Sequence, residues 1–313
     1  MLTSLGTRDA PSASLSSRRR VCSAVARAVP APQRPPTAGV DRAGGSVSAR
    51  SLWRLRVGWW NLRLRRYAFG GMVRVYRAVA GRKPVRDGVT VVTVNYNSLP
   101  QLRVLLAALE RYTAEPVDVI VVDNASKDGS REFLRSRSDV RSLLLPINIG
   151  HGFGLDIAVL TASTSTVVTF DIDAFPVSPG WLPAVTEPLT QGAVIAGAHL
   201  HRAYIHPCFL ALRRSDFLHY RLSFVPVGRC PSREVPATGL YLDAGEAVSH
   251  ILSLAYGTRA IHKIPPTSTH GPGVIGTVFG DIVYHNFYST HAQGEMGKAG
   301  AEAWRQAVAK YVG

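Results

Sequence analysis

The segment TVVTFDIDAF, Thr166–Phe175, carries a run of β-branched and aromatic residues that finishes in two acids, Asp171 and Asp173. Thr166 to Phe170 reads as a strand in the middle of a sheet. In extended chain, residues two apart share a face, so the two carboxylates stand side by side and repel each other. A divalent cation on a diphosphate asks for hard oxygen ligands, commonly one or two carboxylates, with phosphate and water supplying the rest. The pair meets that need, although two solvated loop acids give the same D-x-D pattern. Gly150, Gly152 and Gly154 form a G-x-G-x-G run that could cradle phosphate. Dinucleotide binders place theirs after the first strand and this one follows the third, so glycines that let a helix approach a sheet explain it equally well.

The elements that must position these residues follow from hydrophobic pattern. VTVVTVN (Val89–Asn95), VDVIVVD (Val117–Asp123) and SLLLP (Ser142–Pro146) are strand-like, and Leu99–Tyr112 and Gly150–Ala162 have helical character. Helices alternating with strands at this spacing predict β-α-β units and a mainly parallel sheet flanked by helices, an α/β fold. Ligands of such sheets sit at the carboxyl ends of the strands, and Asn95, Asp123, Asp171 and Asp173 all fall there. The second half is less regular. Gly192–Leu200, His206–Arg214, Arg259–Pro265 and Asp281–Phe287 read as strands, Leu242–Gly257 as a helix, and Ala299–Val312 as a peripheral last helix.

Charge divides the chain. Residues 1–86 hold 18 Lys/Arg against Asp9 and Asp41, a net +16, whereas 87–313 hold 18 against 19 acids, a net −1. The body therefore lacks the basic footprint of a nucleic-acid binder. Residues 1–50, rich in Ser, Ala, Pro and Arg, predict a disordered basic tail. Residues 51–86 form a basic aromatic amphipathic segment, with Trp53, Trp59, Trp60, Tyr67, Phe69 and Tyr76 interleaved with arginines over 51–82. That mixture suits peripheral contact with an anionic membrane surface. A helix packed on the main body, or a true start at Met72, accounts for it too. No run is long and apolar enough to span a bilayer. Cys22, Cys208 and Cys230 have no C-x-x-C spacing and fit free thiols in a reducing compartment.

The ordered series VTVVTVNYNS, VIVVDNASKDGS, NIGHGFG, FDIDAF and PGWL resembles the family 2 glycosyltransferases of GT-A fold, most closely their rhamnosyltransferase-like branch. The resemblance is good over Val89–Leu182 and looser to Phe287. It implies a single nucleotide-sugar-binding domain over 87–290, with a C-terminal helical piece at 291–313. It implies a nucleotide-diphosphate sugar as donor and a hydroxyl, on a saccharide or lipid-linked saccharide, as acceptor. By that likeness Val94, Asn95, Tyr96 and Asp123 hold the nucleoside, Asn148 and Gly150 lie beside the donor, and Asp171 faces the ribose. Asp173, with Asp171 and a late-strand histidine matching His285, would hold Mn²⁺ or Mg²⁺; imidazole suits Mn²⁺ better. Relatives carry Glu-Asp where this chain has Asp243-Ala-Gly-Glu246. Asp243 or Glu246 would be the base of an inverting transfer, and the same spacing is also a helix capping box. His201, Arg202, His206, Arg213, Arg214 and His219 would border the acceptor, or form an ordinary polar rim. The expected place is the cytoplasm, at the inner face of the cell membrane where 51–82 makes contact, and the expected setting is cell-envelope polysaccharide synthesis. Two other classes stay open: a non-catalytic carbohydrate- or partner-binding protein, and a nucleotidyltransferase. The latter asks for a basic glycine-rich loop where this chain has NYNSLPQ.

Overall fold

Runs of valine, isoleucine and threonine with no polar alternation can only be buried on both faces, and such runs build the centre of the sheet. The structure, a computed structural model, describes residues 67–201, 204–226, 244–287 and 294–313. In chain order its elements are a helix over 67–80 (α1), β1 (Arg86–Asn95), α2 (Leu99–Tyr112), β2 (Val117–Asp123), α3 (Ser130–Arg135), β3 (Arg141–Leu144), α4 (His151–Thr161), β4 (Thr164–Phe170), β5 (Ala174–Pro176) and α5 (Pro183–Thr190). Then come β6 (Ile195–His201), β7 (Tyr204–Arg213), α6 (Arg214–His219), α7 (Glu246–Tyr256), β8 (Ile261–Ile264), β9 (Pro266–Thr269), β10 (Thr277–Phe279), β11 (Val283–His285) and α8 (Gly294–Tyr311).

A seven-stranded sheet has the order β3-β2-β1-β4-β7-β6-β8, and only β7 runs against the others. Val91, Val121, Val168 and Phe170 face one side, where Leu102, Leu105, Leu106 and Leu109 of α2 pack with Trp181. Val92, Val94, Ile120 and Val122 face the other, against Leu155, Ile157 and Val159 of α4. Each fully buried Leu or Ile contributes about 2 kcal/mol of transfer free energy. The leucines of α2 recur at helical spacing, and Pro100 sits in its first turn, where a missing N–H costs no hydrogen bond.

A second, antiparallel sheet, β5-β11-β10-β9, lies beyond the carboxyl end of β4. Of its strands, the pattern foresaw only β11. In α8, Ala303 and Ala307 are buried and Trp304 meets Phe175 edge-on at 5.4 Å. One face of the helix therefore packs on the core, and the rest of it is largely exposed.

The described part of the basic aromatic segment packs on the body. Val73 and Ala80 are buried, Phe69 meets Phe153 at 5.8 Å, and Arg77 donates to Phe217 O at 2.8 Å and Leu222 O at 2.6 Å. Residues 1–66, including Trp53, Trp59, Trp60 and Cys22, lie outside the described residues, as do Cys230 and Asp243. Cys208 is a buried free thiol.

Candidate active site

Asp171 and Asp173 converge through a turn, not through an extended strand as expected. The strand β4 ends at Phe170, and Ala174 N–H donates to Asp171 O at 3.0 Å, closing a tight bend between the two acids. Antiparallel pairing then sets the third member. β5 pairs with β11 so that Ala174 stands opposite His285, and Asn286 N–H donates to Asp173 O at 3.0 Å. His285 Nε2 consequently lies 3.2 Å from Asp173 Oδ1 and 3.6 Å from Asp171 Oδ2.

Two more histidines surround Asp171. His151, first residue of α4, brings Nε2 to 3.0 Å from Asp171 Oδ1. His206, near the start of β7, has Nδ1 3.8 Å from Oδ2, and that nitrogen accepts the Cys208 N–H at 3.1 Å. Burial alone would push the Asp171 carboxyl up, but the His151 contact and the three imidazoles hold it well below the usual carboxylate range. Burial would lower His285, yet Cys208 and Asp173 beside it raise it well above the ordinary imidazole value. Three imidazoles thus stand around the acids whose repulsion the sequence pattern raised, His151 and His285 nearest to them. The resemblance pointed to His285 among them; His151 and His206 were not assigned to it.

The donor set can be tested against a cation. One oxygen each from Asp171 and Asp173 and one nitrogen of His285 lie within 4.8 Å of one another, as do single donors of His206, Cys208 and His285. The first trio offers two hard oxygens at the cavity wall and one buried imidazole behind them, which fits Mn²⁺ or Mg²⁺. The other ring nitrogen of His285, Nδ1, is buried without a hydrogen-bond partner among the described residues.

The cavity beside these groups measures about 460 Å³ and is lined by Val94, Tyr96, Asn148, Gly150, His151 and the Asp171–Asp173 turn, with Ser98 and Asn124. It opens at the carboxyl ends of β1 and β4. Asn95 and Asp123, expected to touch the nucleoside, lie beneath it, fully buried. Asn95 Nδ2 donates to Asp123 Oδ2 at 2.9 Å and to Ser126 Oγ at 3.1 Å, Ser126 N–H donates to Asp123 Oδ1 at 3.0 Å, and Arg131 stands 3.4 Å from Oδ1. Asp123 thus pins two loops together, and the exposed ring of Tyr96 stands over them.

The glycines resolve in favour of packing. A Cβ on Gly152 would come within 2.8 Å of Phe224 O, and one on Gly154 within 2.9 Å of Val94. Gly150 precedes α4 with φ 94°, and Asn148 Oδ1 accepts its N–H at 2.8 Å. Asn148 and Gly150 therefore shape the start of the helix that presents His151.

The helix α7 begins at Glu246 with Gly245 at its N-cap, and Asp243 lies outside the described residues. Tyr204 Oη donates to Ala244 O at 2.8 Å, and Gly245 packs on Pro207, tying Glu246 to the strand that bears His206. The arginines part from the site: Arg213 lies seven residues beyond His206 at the end of β7, roughly 23 Å along an extended strand, and Arg214 follows it as the first residue of α6. His219 is exposed and stacks on Tyr220 at the end of α6. Arg202 and the side chain of His201 lie outside the described residues.

Residues 90–225 match the family model described as glycosyl transferase family 2. No curated protein sequence matches the chain. Among solved structures, the mannosyltransferase PcManGT from Pyrobaculum calidifontis, in complex with GDP-Man and Mn²⁺, is 19% identical with a TM-score of 0.45, covering 65% of each chain. S. aureus TarS 1-349 with UDP-GlcNAc is 14% identical with a TM-score of 0.45, covering 71% of this chain and 66% of that one. Glucosyl-3-phosphoglycerate synthase from Mycobacterium tuberculosis, in complex with Mn²⁺, UDP and glucosyl-3-phosphoglycerate, is 16% identical with a TM-score of 0.43, covering 76% and 82%. The chain thus spans just under two thirds of the length of the first two. The mostly parallel sheet flanked by helices, with the small antiparallel sheet beyond β4, is the GT-A fold.

Proposed function

We propose that this chain is a family 2-like glycosyltransferase moving a sugar from a nucleotide-diphosphate donor to a hydroxyl acceptor. The observation that carries the reading is the meeting of Asp171 and Asp173, which line the cavity, with the buried His285, their donor atoms within 4.8 Å of one another. The family match over 90–225 supports the reaction class. In this reading Asp171, Asp173 and His285 hold a divalent cation, Mn²⁺ or Mg²⁺, whose chemistry when bound is to offset charge on the departing diphosphate. Val94 and Tyr96 flank the nucleoside, while Asn95 and Asp123 act from below by fixing the loop that carries Tyr96. Asn148 and Gly150 hold the donor from the α4 side, and His151 orients Asp171. Glu246, tethered beside Pro207, is the described candidate for the base that takes the acceptor proton; Asp243 is the other. A base opposite the leaving group gives inversion.

The motif series favours a deoxyhexosyl or hexosyl donor of the rhamnosyltransferase-like branch. Residues 51–82 would keep the enzyme at the inner face of the cell membrane, near a lipid-linked or envelope acceptor. A second reading has one observation in its favour: His151 and His285 bring ring nitrogens to within 3.0–3.6 Å of the acids, and such imidazoles, when protonated, offset them without a cation. A non-catalytic carbohydrate-binding protein with this fold would need no more. Nucleotide-sugar hydrolysis assayed with Mn²⁺ separates the two. The enzyme reading expects turnover that falls at least ~100-fold in Asp173→Ala, a typical loss for a group stabilising leaving-group charge. No turnover and no thermal shift across a nucleotide-diphosphate panel with Mn²⁺ would leave the binding protein standing.

A further inference from the structure

The arginines that left the site define a second one. At the amino ends of β1 and β4, on the edge of the sheet opposite the first cavity, lies a cavity of about 660 Å³. Lys83, Arg213 and Arg214 line it together with Ser165, Thr166 and Thr186, and no acidic side chain is among its lining residues. Arg213 is engaged elsewhere: it donates to Leu189 O and stands 3.6 Å from Asp216 Oδ2, while Asp216 also accepts from Tyr256 Oη at 2.9 Å.

Arg214 is different. Its residue is 1% exposed, one of its N–H groups donates to Ala80 O at 3.0 Å, and its Nε is buried without a hydrogen-bond partner. Among the described residues no carboxylate pairs with it. A guanidinium keeps its charge at any physiological pH, so it cannot escape burial by losing a proton. A buried charge without a partner is strongly destabilising, and nature compensates it with an opposite charge or an ion. Arg214 borders the cavity, whose other charged lining residues are Lys83 and Arg213, set among apolar side chains such as Val85, Val89, Leu189 and Leu218.

We propose that this cavity binds a phosphate monoester, with Arg214 and Lys83 as its counter-charges. Guanidinium forks suit phosphate oxygens, and the cavity is large enough for a small phosphorylated molecule as well as its phosphate. The phosphate could belong to a free metabolite or to a lipid headgroup. The site is independent of the sugar-transfer reading, because it lies at the other end of the sheet and uses none of its residues.

The test uses the full chain carrying Asp173→Ala, in EDTA, so that the first cavity contributes no metal-bound phosphate. Glycerol 3-phosphate is titrated by calorimetry, and phosphatidic acid vesicles are compared with phosphatidylcholine vesicles by co-sedimentation. Arg214→Met is expected to weaken binding about 100-fold, the loss of a charge-assisted hydrogen-bond pair. Lys83→Met, on the exposed rim, is expected to weaken it about three- to tenfold and gives the answer alone if Arg214→Met does not fold. Saturable glycerol 3-phosphate binding that depends on these residues supports a free ligand. Dependence seen only with phosphatidic acid supports a headgroup. Absence of binding to both probes, or binding unchanged in both variants, overturns the proposal.

Discussion

Replacing Asp156 by Asn should make the protein more stable above neutral pH. Asp156 lies in α4, fully buried, and its two oxygens accept from Ser223 Oγ at 2.5 Å and Phe224 N–H at 2.7 Å. Burial pushes its pKa up to about 7, against the opposing pull of those hydrogen bonds and of Arg77. An unfolded Asp titrates near 3.9. Between roughly pH 4 and 7 the folded protein therefore keeps a proton that the unfolded chain has released, and stability falls as pH rises. This contribution is fully present below the unfolded pKa, is lost on approaching the folded one, and is flat above it. About three pKa steps at ~1.4 kcal/mol each set an upper bound of about 4 kcal/mol. Asn keeps the shape, accepts the Phe224 N–H through its oxygen and donates to Ser223 Oγ through its amide. Urea denaturation of both proteins at intervals from pH 4 to 8 isolates the effect, since every other titrating group is common to the pair. The expected result is near-equal stability at pH 4 and a gain of about 1–3 kcal/mol for Asp156→Asn at pH 8. A variant less stable than its parent at pH 8, or a constant difference across the range, would refute the argument. Asp156 would then be an ionised carboxylate held by its donors and Arg77.

Two further outcomes follow from the site. His285→Ala should raise the Mn²⁺ concentration needed for half-maximal turnover by roughly ten- to a hundredfold, the range seen when a group supporting a metal is lost. An unchanged Mn²⁺ dependence would leave His285 as a core residue. Gly152→Ala should cost about 1–3 kcal/mol in chemical denaturation, because its Cβ would meet the Phe224 backbone at 2.8 Å, where neither a rotamer change nor a side-chain shift relieves it. Wild-type stability in that variant would show that the glycines serve something other than packing.

The central sheet was legible because its strands are buried on both faces, which writes them as uninterrupted Val, Ile and Thr. The helix α2 was legible to the residue because its leucines keep helical spacing and it begins beside Pro100. The short strands β5, β9 and β10 are three or four residues long and carry no period to detect. The acids at Asp171 and Asp173 stood out through their contrast with the apolar run before them. Their imidazole neighbours did not, because contact with His151 and His206 depends on a helix start and on the antiparallel entry of β7. Asp123 shows the opposite limit. Its position at a strand end suggested contact with ligand, yet hydrogen bonds from Asn95 and Ser126 consume it below the surface. Arg213 and Arg214 sat near His206 in the text and lie a strand's length away in space.

The pairing of Ala174 with His285 joins segments more than a hundred positions apart in the chain. During synthesis, Asp171 and Asp173 emerge long before their third donor, and the turn that holds them is open until β11 arrives. On the proposed three-donor site, the donor set is accordingly completed only late in folding, and a chain cut before Val283 would keep most of the large sheet while lacking the imidazole donor.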